Sequence, residues 1–313
     1  MHSNLNKPPL VVIIGPTAVG KTEVSLQLAE RLNGEIVSGD SRLFYRGMDI
    51  GTAKPSSQEQ QRVPHHLIDV ANPDETWSLA VFQEAAQKVI ADIHQRGKLP
   101  FLVGGTGQYI RAMLEGWAPP ELAPDPKIRR VLDKWANDSG GDELHRRLGH
   151  LDPLAAERID PHNVRRTVRA LEVIFRTGRR FSSQTRRQES LCNNLVLGIT
   201  RPRPELYKRI DERIEAMLGA GLVEEVQALL QQGYPPDLPT FSAIGYREII
   251  AHLRGEISLE EAVMLIKRAT RQFVRRQANW FKPTDPTIHW FNADEQLAAN
   301  MEVCIREFLS TEI

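Results

Sequence analysis

Residues 15–22 read GPTAVGKT and could bind phosphate groups, because they fit the P-loop pattern of a glycine, four residues, then Gly-Lys-Thr. The loop comprises Gly15, Pro16, Thr17, Ala18, Val19, Gly20, Lys21 and Thr22. Its glycines allow backbone N–H groups to face a phosphate, and the following helix adds positive potential. Lys21 would then bind phosphate oxygens, and the Thr22 hydroxyl would bind Mg²⁺. The pattern is typical of ATP-binding proteins, but it does not identify the phosphorylated ligand.

A carboxylate follows the second apolar run of the chain. Asp40 comes directly after EIVSG, which predicts a strand. A carboxylate at a strand end could act as a general base, although aspartate is also common in turns and helix caps. The hydroxyl of Thr17, inside the loop, could face the same space.

The acidic residue that ATPases and GTPases usually carry at the end of a hydrophobic strand is missing at the expected place. The run LPFLVGG ends in glycine, and this disfavours simple nucleotide hydrolysis. Asp69, in HLIDV, could substitute for the missing acid. Its apolar run is short, so a structural role is the better interpretation.

An arginine lies on the apolar face of a predicted helix that starts at Pro204. With about 100° of rotation per residue, Arg213 falls beside Leu206 and Met217. A guanidinium in apolar surroundings needs an anion. That anion could be an Asp or Glu, or a phosphate of the ligand; alternatively, the side chain could extend past the apolar edge to water.

Alternating strands and helices must bring these residues together. Strands are predicted at 9–14, 34–41 and 99–107, and helices at 21–34 and 79–98. This order indicates an α/β fold with a P-loop NTPase-like parallel sheet covered on both faces. Ligands of such sheets bind beyond the carboxyl ends of the strands. The segments 15–22, 39–44 and 104–107 reach that edge.

The character of the chain changes at the Pro-rich segment EGWAPPELAPDP, residues 115–126. A buried-strand pattern returns at NNLVLGIT, residues 193–200. We therefore predict a catalytic core formed by 1–115 and 195–313, interrupted by a helical, arginine-rich insertion at 116–194. Long helices should follow as far as RRQANWFK, and then a loose tail.

Two segments concentrate positive charge in a chain whose totals of Lys+Arg and Asp+Glu are both 40. Residues 158–187 contain nine arginines against two acidic residues, beside an apolar stripe of Val164, Val168, Leu171 and Phe175. The second segment is KRATRQFVRRQANW, followed by Phe281. Each alone could be a solvated face, but two clusters on a neutral protein favour RNA or DNA as partner.

The remaining composition predicts a cytoplasmic protein. Cys192 and Cys304 lie far apart without metal-ligand spacing, which favours a reducing compartment and buried thiols. The start MHSNLNK lacks the apolar region of a signal peptide, and no apolar run approaches the roughly 20 residues of a membrane span.

The chain resembles the bacterial tRNA dimethylallyltransferases over nearly its whole length. The motifs that carry the resemblance are GPTAVGKT, GDSRLFYRGMDIGTAKP, PHHLIDV, LVGGTGQYI, RALEV, GYPP with AIGYREI, and RRQANWF. Members of this family transfer a dimethylallyl group from dimethylallyl diphosphate to the N6 amine of the adenosine 3′ of the anticodon, in tRNAs that read codons beginning with U. The resemblance implies that the P-loop holds a prenyl diphosphate as leaving group, with Mg²⁺ as cofactor. We expect a monomer.

The resemblance also assigns roles to individual positions. Asp40 matches the general base, and Thr17, Lys21, Thr22 and Arg213 match positions that bind diphosphate and Mg²⁺. The tRNA-contacting positions are Asp40, Ser41, Arg42, Leu43, Thr106, Val164, Arg165, Arg166, Thr167, Val168, Arg271, Arg275 and Gln277. The insertion of the family grips the anticodon stem-loop, and the target base is flipped into a channel that meets the diphosphate.

Some features depart from the family or leave alternatives open. Asp160 and Arg165 stand where histidine and glutamine are usual. His65 and His66 are predicted to be structural rather than metal ligands.

Three alternative functions remain open: a P-loop kinase, an enzyme that prenylates free adenine nucleotides, and an RNA-binding ATPase. The arginine-rich insertion argues against the free-nucleotide enzymes.

Overall fold

The computed structural model describes residues 7–118, 120, 122, 124–184, 186–187 and 189–311. The chain forms two compact units: a core unit, Met1–Leu114 with Ser190–Ile313, and an insertion unit, Glu115–Glu189. The predicted insertion, 116–194, extends beyond the end of the observed insertion unit. Its last residues belong to the sheet instead, since Asn193 and Asn194 pair with Pro9 and Leu10. The prediction that the start of the chain lacks the apolar region of a signal peptide concerns residues 1–6, which lie outside the described part of the chain.

The strands of the described residues are β1 (Pro9–Ile14), β2 (Gly34–Ser38), β3 (His65–His66), β4 (Leu99–Gly104), β5 (Trp117–Ala118), β6 (Arg186–Arg187), β7 (Asn193–Thr200) and β8 (Ile288–Asn292). The helices are α1 (Lys21–Arg31), α2 (Ser57–Arg62), α3 (Leu79–Gln95), α4 (Gly107–Leu114), α5 (Pro126–Ser139), α6 (Gly141–Leu151), α7 (Pro153–Arg158), α8 (Val164–Thr177), α9 (Phe181–Gln184), α10 (Arg203–Gly219), α11 (Leu222–Gln231), α12 (Tyr246–Leu253), α13 (Leu259–Gln277) and α14 (Leu297–Ser310).

Six strands of the core unit form one sheet in the order β3-β2-β4-β1-β7-β8. Every neighbouring pair is parallel, as expected for strands that alternate with helices. The central strand β1 is buried from Leu10 to Ile14, and burying each such side chain contributes roughly 1.5–3 kcal/mol. The predicted α/β fold is thus confirmed, and β1 and β7 have the predicted bounds.

The C-terminal half differs from the sequence prediction in two places. The predicted helix from Pro204 is interrupted, because Gly221 adopts a left-handed φ of 100° and starts α11. The expected loose tail instead contains β8 and α14. The aromatic ring of Trp290 in β8 packs over Gly198, where an added Cβ would lie 2.5 Å from the ring. Met301 and Ile305 of α14 are fully buried in the core.

The insertion unit has its own apolar core, which includes Leu132, Leu144, Leu148 and Leu171. The predicted stripe of α8 holds for Val168 and Leu171, but Phe175 is 51% exposed. Glu172 takes part in the buried face of the helix instead, because Arg129 and Arg169 both donate to its carboxylate.

Two further predictions concern membrane-spanning helices and the two cysteine thiols. In the described residues, no helix combines the length and apolar character needed to cross a membrane. Cys192 and Cys304 are unpaired, but they are half-buried rather than fully buried as expected. Burial raises the pKa of the Cys192 thiol to about 11, which keeps it protonated near neutral pH.

Candidate active site

The carboxyl ends of β1, β2 and β4 meet at one edge of the sheet, where close backbone contact requires glycine. The Gly39 N–H donates to the Val103 carbonyl at 2.8 Å. A Cβ on Gly104 would lie only 2.6 Å from the Gly39 carbonyl carbon. Because neither side of this contact has room for a side chain, the segment that carries Asp40 lies directly against the end of β4.

The loop 15–22 has the conformation of a phosphate cradle. Gly20 precedes α1 with a φ of 113°, and no side chain caps the first turn of that helix. The N–H groups of this turn are therefore available to an anion. The Lys21 Nζ donates to the carbonyl oxygens of Gly15 and Pro16, both at 2.9 Å, so the ammonium lies inside its own loop.

The remaining loop residues have distinct environments. The side chain of Val19 is buried in the core. The backbone of Ala18 adopts a left-handed conformation, with a φ of 65°. The Ala18 carbonyl accepts a hydrogen bond from the Arg209 guanidinium at 2.9 Å. Sequence reasoning missed Arg209; the available signal was its place one helical turn before Arg213. α10 thus directs two arginines at this edge of the sheet.

Lys21, Arg213 and Asp40 form an electrostatically coupled group. Burial lowers the pKa of Lys21 to about 8, with Arg213 adding to this effect and Asp40 opposing it. Burial also lowers the pKa of Arg213, again against the attraction of Asp40. Within the described residues, none of the three makes an ion pair within 4.0 Å. Two desolvated cations therefore lack a contacting carboxylate.

Asp40 is half-buried, and the backbone fixes its orientation. One carboxylate oxygen accepts a hydrogen bond from the Arg42 N–H at 3.0 Å, and the Asp40 N–H donates to the Ser38 hydroxyl. For the other carboxylate oxygen, the described chain provides no hydrogen-bond donor. This oxygen can accept a proton or a hydrogen bond from a ligand, as general-base catalysis requires.

Gln277, at the end of α13, connects the loop to the end of β4. Its amide oxygen accepts a hydrogen bond from the Thr17 N–H at 3.0 Å, and its amide nitrogen donates to the Gly105 carbonyl at 3.0 Å. The side chain is 8% exposed. The structure therefore places Gln277 against the loop 15–22 with its side chain largely buried, at a position that the resemblance assigns to tRNA contact.

The residues at this edge fit a Mg²⁺ ion that takes most of its ligands from a bound diphosphate. The Thr22 residue is exposed at the start of α1, and within the described chain its hydroxyl has no hydrogen-bond partner. The described residues contain no cluster of three His, Cys, Asp or Glu side chains that could hold a metal. Protein-bound Mg²⁺ often has one or two protein ligands, with phosphates and waters completing the octahedron.

Asp69 has a structural partner. Its carboxylate accepts from the buried Lys54 ammonium at 2.5 Å, so it does not replace the missing acidic residue at the phosphate edge. His65 and His66 are likewise held by structural contacts. His65 Nδ1 lies 2.8 Å from the Val63 carbonyl oxygen, and His66 Nε2 lies 2.7 Å from the Glu35 carboxylate.

Four of the RNA-contacting positions predicted in the core unit belong to the segments that follow β2 and β4. The Ser41 N–H donates to the Thr106 hydroxyl at 3.3 Å, which joins the segments after β2 and β4. The Arg42 guanidinium donates to the Thr240 carbonyl at 3.2 Å, and Leu43 is half-buried. Ser41, Arg42 and Leu43 directly follow Asp40 in the chain, and Thr106 joins them through the hydrogen bond to Ser41.

The positions predicted in the insertion unit fall on the first turns of α8 and separate into two groups. Arg165 and Arg166 are exposed and Val164 is half-buried, so all three are accessible. Thr167 and Val168 are buried at 0% and 4% exposure. Asp160 accepts hydrogen bonds from the backbone and ring of His162, and it is exposed.

A basic groove of about 500 Å³ runs along α13. Its lining combines apolar and charged side chains: Glu260, Val263, Met264, Lys267, Arg268, Arg271 and Arg275. Lys267 and Arg271 are paired with Glu215 and Asp211 of α10. Arg268 and Arg275 are exposed, and the described chain offers them no acidic partner. Their charges remain available to an anion in the groove.

The chain is similar to known proteins over most of its length. Residues 43–284 match the model of a family described as IPP transferase. The tRNA dimethylallyltransferase of Thermomicrobium roseum is 48% identical over 306 residues, covering 96% of this chain and 93% of that protein. That of a Roseiflexus species is 53% identical and covers 88% of this chain and 90% of its own length.

Two solved structures resemble the chain over almost all of its length. The tRNA isopentenylpyrophosphate transferase of Bacillus halodurans has a TM-score of 0.71 and 42% identity, covering 98% of this chain and 97% of that one. A eukaryotic dimethylallyltransferase acting on tRNA has a TM-score of 0.81 and 27% identity, covering 98% and 80%.

Proposed function

The chain belongs to the IPP transferase family, and we propose that it transfers a dimethylallyl group to tRNA. The donor is dimethylallyl diphosphate, and the acceptor is the N6 amine of the adenosine 3′ of the anticodon in tRNAs that read codons beginning with U. The observation that carries the proposal is the edge where Lys21 and Arg213, without contacting carboxylates, interact electrostatically with Asp40. Two cations beside one acid suit a departing anion and a nucleophile that loses a proton.

The chemistry divides between the cations and the acid. As the bond between the allylic carbon and the diphosphate oxygen breaks, negative charge grows on the diphosphate. Lys21, Arg213 and the N–H groups at the start of α1 stabilise that charge. The N6 nitrogen forms the new bond to carbon, and Asp40 accepts its proton. When bound, Mg²⁺ supplies additional charge neutralisation on the diphosphate, with the Thr22 hydroxyl as a protein ligand.

RNA recognition is assigned to several accessible surfaces. Ser41, Arg42 and Leu43 follow Asp40 in the chain, and together with Thr106 they would contact the flipped base and its neighbours. In the insertion unit, Arg165 and Arg166 would bind phosphates of the anticodon stem-loop. In the core unit, Arg275 of the α13 groove contributes an unpaired positive charge, whereas the neighbouring Arg271 is paired with Asp211.

The test is incubation of the purified protein with dimethylallyl diphosphate, Mg²⁺ and an anticodon stem-loop RNA. We expect mass spectrometry of the digested nucleosides to show one adenosine in which a dimethylallyl group has replaced a hydrogen. A stem-loop with guanosine at the target position serves as control and should remain unmodified. Unchanged RNA mass under these conditions would refute the assignment.

The same reaction separates the alternatives. A P-loop kinase or an RNA-binding ATPase would release or transfer the γ-phosphate of ATP and leave the nucleoside mass unchanged. An enzyme that acts on free nucleotides would modify AMP faster than the stem-loop. The exposed Arg165 and Arg166 favour the RNA substrate, because an RNA offers phosphates along its whole backbone, whereas a free nucleotide carries its few phosphates on one nucleoside.

A further inference from the structure

The carboxylate of Glu225, a partly exposed residue of α11, accepts several hydrogen bonds from one turn of the chain. One carboxylate oxygen accepts hydrogen bonds from the N–H groups of Asp49 and Ile50, at 2.9 and 2.7 Å. The other accepts from the Gly51 N–H at 3.1 Å and from the Tyr246 hydroxyl at 2.6 Å. Four donors therefore converge on one anion, and three of them are consecutive backbone amides.

Tyr246 fixes this arrangement from the core. Its ring is fully buried and stacks on Phe241, with 6.2 Å between the ring centroids. A Cβ on Gly51 would lie 2.5 Å from the Tyr246 ring, so this position requires a residue without a side chain. The hydroxyl is thereby directed at Glu225, and the backbone at Gly51 is pressed against the ring.

The other side of the same turn is held by Lys54, whose side chain is 4% exposed. Its ammonium donates to the Tyr45 carbonyl at 2.9 Å and pairs with the carboxylates of Asp69 and Asp49. The turn between Met48 and Lys54 is therefore anchored on both sides. The half-buried Thr52 belongs to this turn, and its carbonyl group is held with it.

That carbonyl is the contact between the turn and the phosphate edge. The Arg213 guanidinium donates to the Thr52 oxygen at 3.5 Å, and within the described chain this is the hydrogen bond that orients it. The same guanidinium acts electrostatically on Lys21 and Asp40. A shift of the turn would therefore move a cation of the phosphate site.

We propose that Glu225 is a positioning residue for diphosphate binding: by holding the amides of residues 49–51, it sets the Thr52 carbonyl that orients Arg213. The inference rests on the proposed function, in which Arg213 binds the diphosphate. Glutamine cannot replace this glutamate, because its NH₂ group would face N–H donors and leave at least one of them without an acceptor.

The main variant is Glu225→Gln, and Glu224→Gln is the matched control, because Glu224 is exposed on the same helical turn. The probe is inorganic pyrophosphate with Mg²⁺, measured by calorimetry without RNA. We expect Glu225→Gln to raise the pyrophosphate Kd about tenfold, the loss expected from one charge-assisted hydrogen bond. Glu224→Gln should remain within about twofold of the wild type, as surface substitutions usually do.

A double-mutant cycle tests whether the effect passes through Arg213. In an Arg213→Ala background, Glu225→Gln should change the pyrophosphate Kd by less than about twofold, because the effect of Glu225 reaches the ligand only through Arg213 and the two changes should not add. An equal effect in both backgrounds would overturn the proposal, and so would an unchanged Kd in a folded Glu225→Gln protein. In steady-state kinetics, the KM for dimethylallyl diphosphate should rise while the KM for tRNA stays constant; a purely structural role would affect both.

Tyr246→Phe provides a second route if Glu225→Gln does not fold. It removes one donor from the carboxylate and keeps the ring on Gly51, so we expect a smaller rise in the pyrophosphate Kd that also disappears without Arg213. The pyrophosphate cycle needs neither RNA nor a prenyl group. If the wild-type protein failed to modify RNA, the proposed function would fall while the positioning role could still be measured.

Discussion

Strand β2 has an acidic residue near each end, and the two carboxylates have opposite surroundings. Glu35, at the amino end, is 1% exposed and is bound by Arg96, Lys98 and His66. These partners lower the pKa of Glu35 to about 2. Asp40, beyond the carboxyl end, makes no ion pair in the described part of the chain. The charges around Glu35 are paired by direct contact, whereas Asp40, Lys21 and Arg213 make no contacting ion pair among the described residues.

The difference indicates which end of the sheet is used for stability and which for chemistry. A buried ion without a partner is costly, so proteins normally neutralise or pair it. Lys21 shows this cost in its lowered pKa, and its ammonium takes only two carbonyl oxygens as acceptors. A bound diphosphate would supply the missing negative charge. The phosphate edge is therefore incomplete without its ligand.

Removing the charge of Asp40 should have the largest effect. Asp40→Asn keeps an oxygen that can accept from the Arg42 N–H, so the fold and tRNA affinity should be retained. Without a base for the amine proton, single-turnover transfer should slow by roughly 10²–10⁴-fold. A variant whose rate stays within about fivefold of wild type would show that Asp40 is not the base, since a base contributes at least about 10².

The corresponding change at the other end, Glu35→Gln, should alter stability and leave turnover unchanged. Because Arg96 is 39% exposed and partly screened, we expect a loss of roughly 2 kcal/mol in the free energy of unfolding. Since the folded-state pKa of Glu35 is depressed, its contribution is present above about pH 4.3 and is lost as pH falls towards 2. Urea denaturation of both proteins should show the stability difference shrinking over that window. A fall in turnover at temperatures where the variant is folded would contradict the distinction between the two ends.

The pKa of Lys21 predicts how ligand binding at the phosphate edge responds to pH. Burial gives its ammonium a pKa of about 8 in the free protein, so it becomes neutral as pH rises through this value. Compared with a variant that keeps its charge at this position, pyrophosphate affinity should weaken above pH 8 by up to about tenfold per pH unit. Calorimetry between neutral and alkaline pH measures this. Lys21→Arg is the control, because arginine stays charged and should remove this pH dependence even if it binds more weakly; an identical profile would assign the titration to another group.

The contrast also explains how far the sequence could predict the site. The loop 15–22, Asp40 and the strands before them were predictable, because their patterns are local and the carboxyl ends of parallel strands must meet. Arg213 was predictable as a charge on an apolar face. The contact between Gln277 and Thr17 was not, because it joins residues 260 positions apart in the chain.

Non-local packing also accounts for the elements that sequence reasoning missed. β8 is a short strand whose Trp290 covers Gly198 of the neighbouring strand, and nothing near residue 290 in the sequence indicates that partner. The exposure of Phe175 was missed for a related reason. Its helical spacing fits the apolar stripe, but Glu172 and its arginine partners occupy part of the buried face instead.

In the α13 groove, too, some cations are paired within the protein and others are not. Substitutions of these cations should have the smallest effects. Arg268→Gln removes an unpaired cation and should weaken tRNA binding about threefold to tenfold. It should also lower the slope of log K against log salt by about 0.7–0.9, the value for one lost phosphate contact. Lys267→Gln is the matched control, because the charge of Lys267 is already paired with Glu215 at 2.5 Å and its removal should leave the slope nearly unchanged. Filter binding at several salt concentrations measures both variants. Equal slopes for the two would mean that the groove acts as a general positive field, in which ion pairing within the protein does not determine which cations contact RNA.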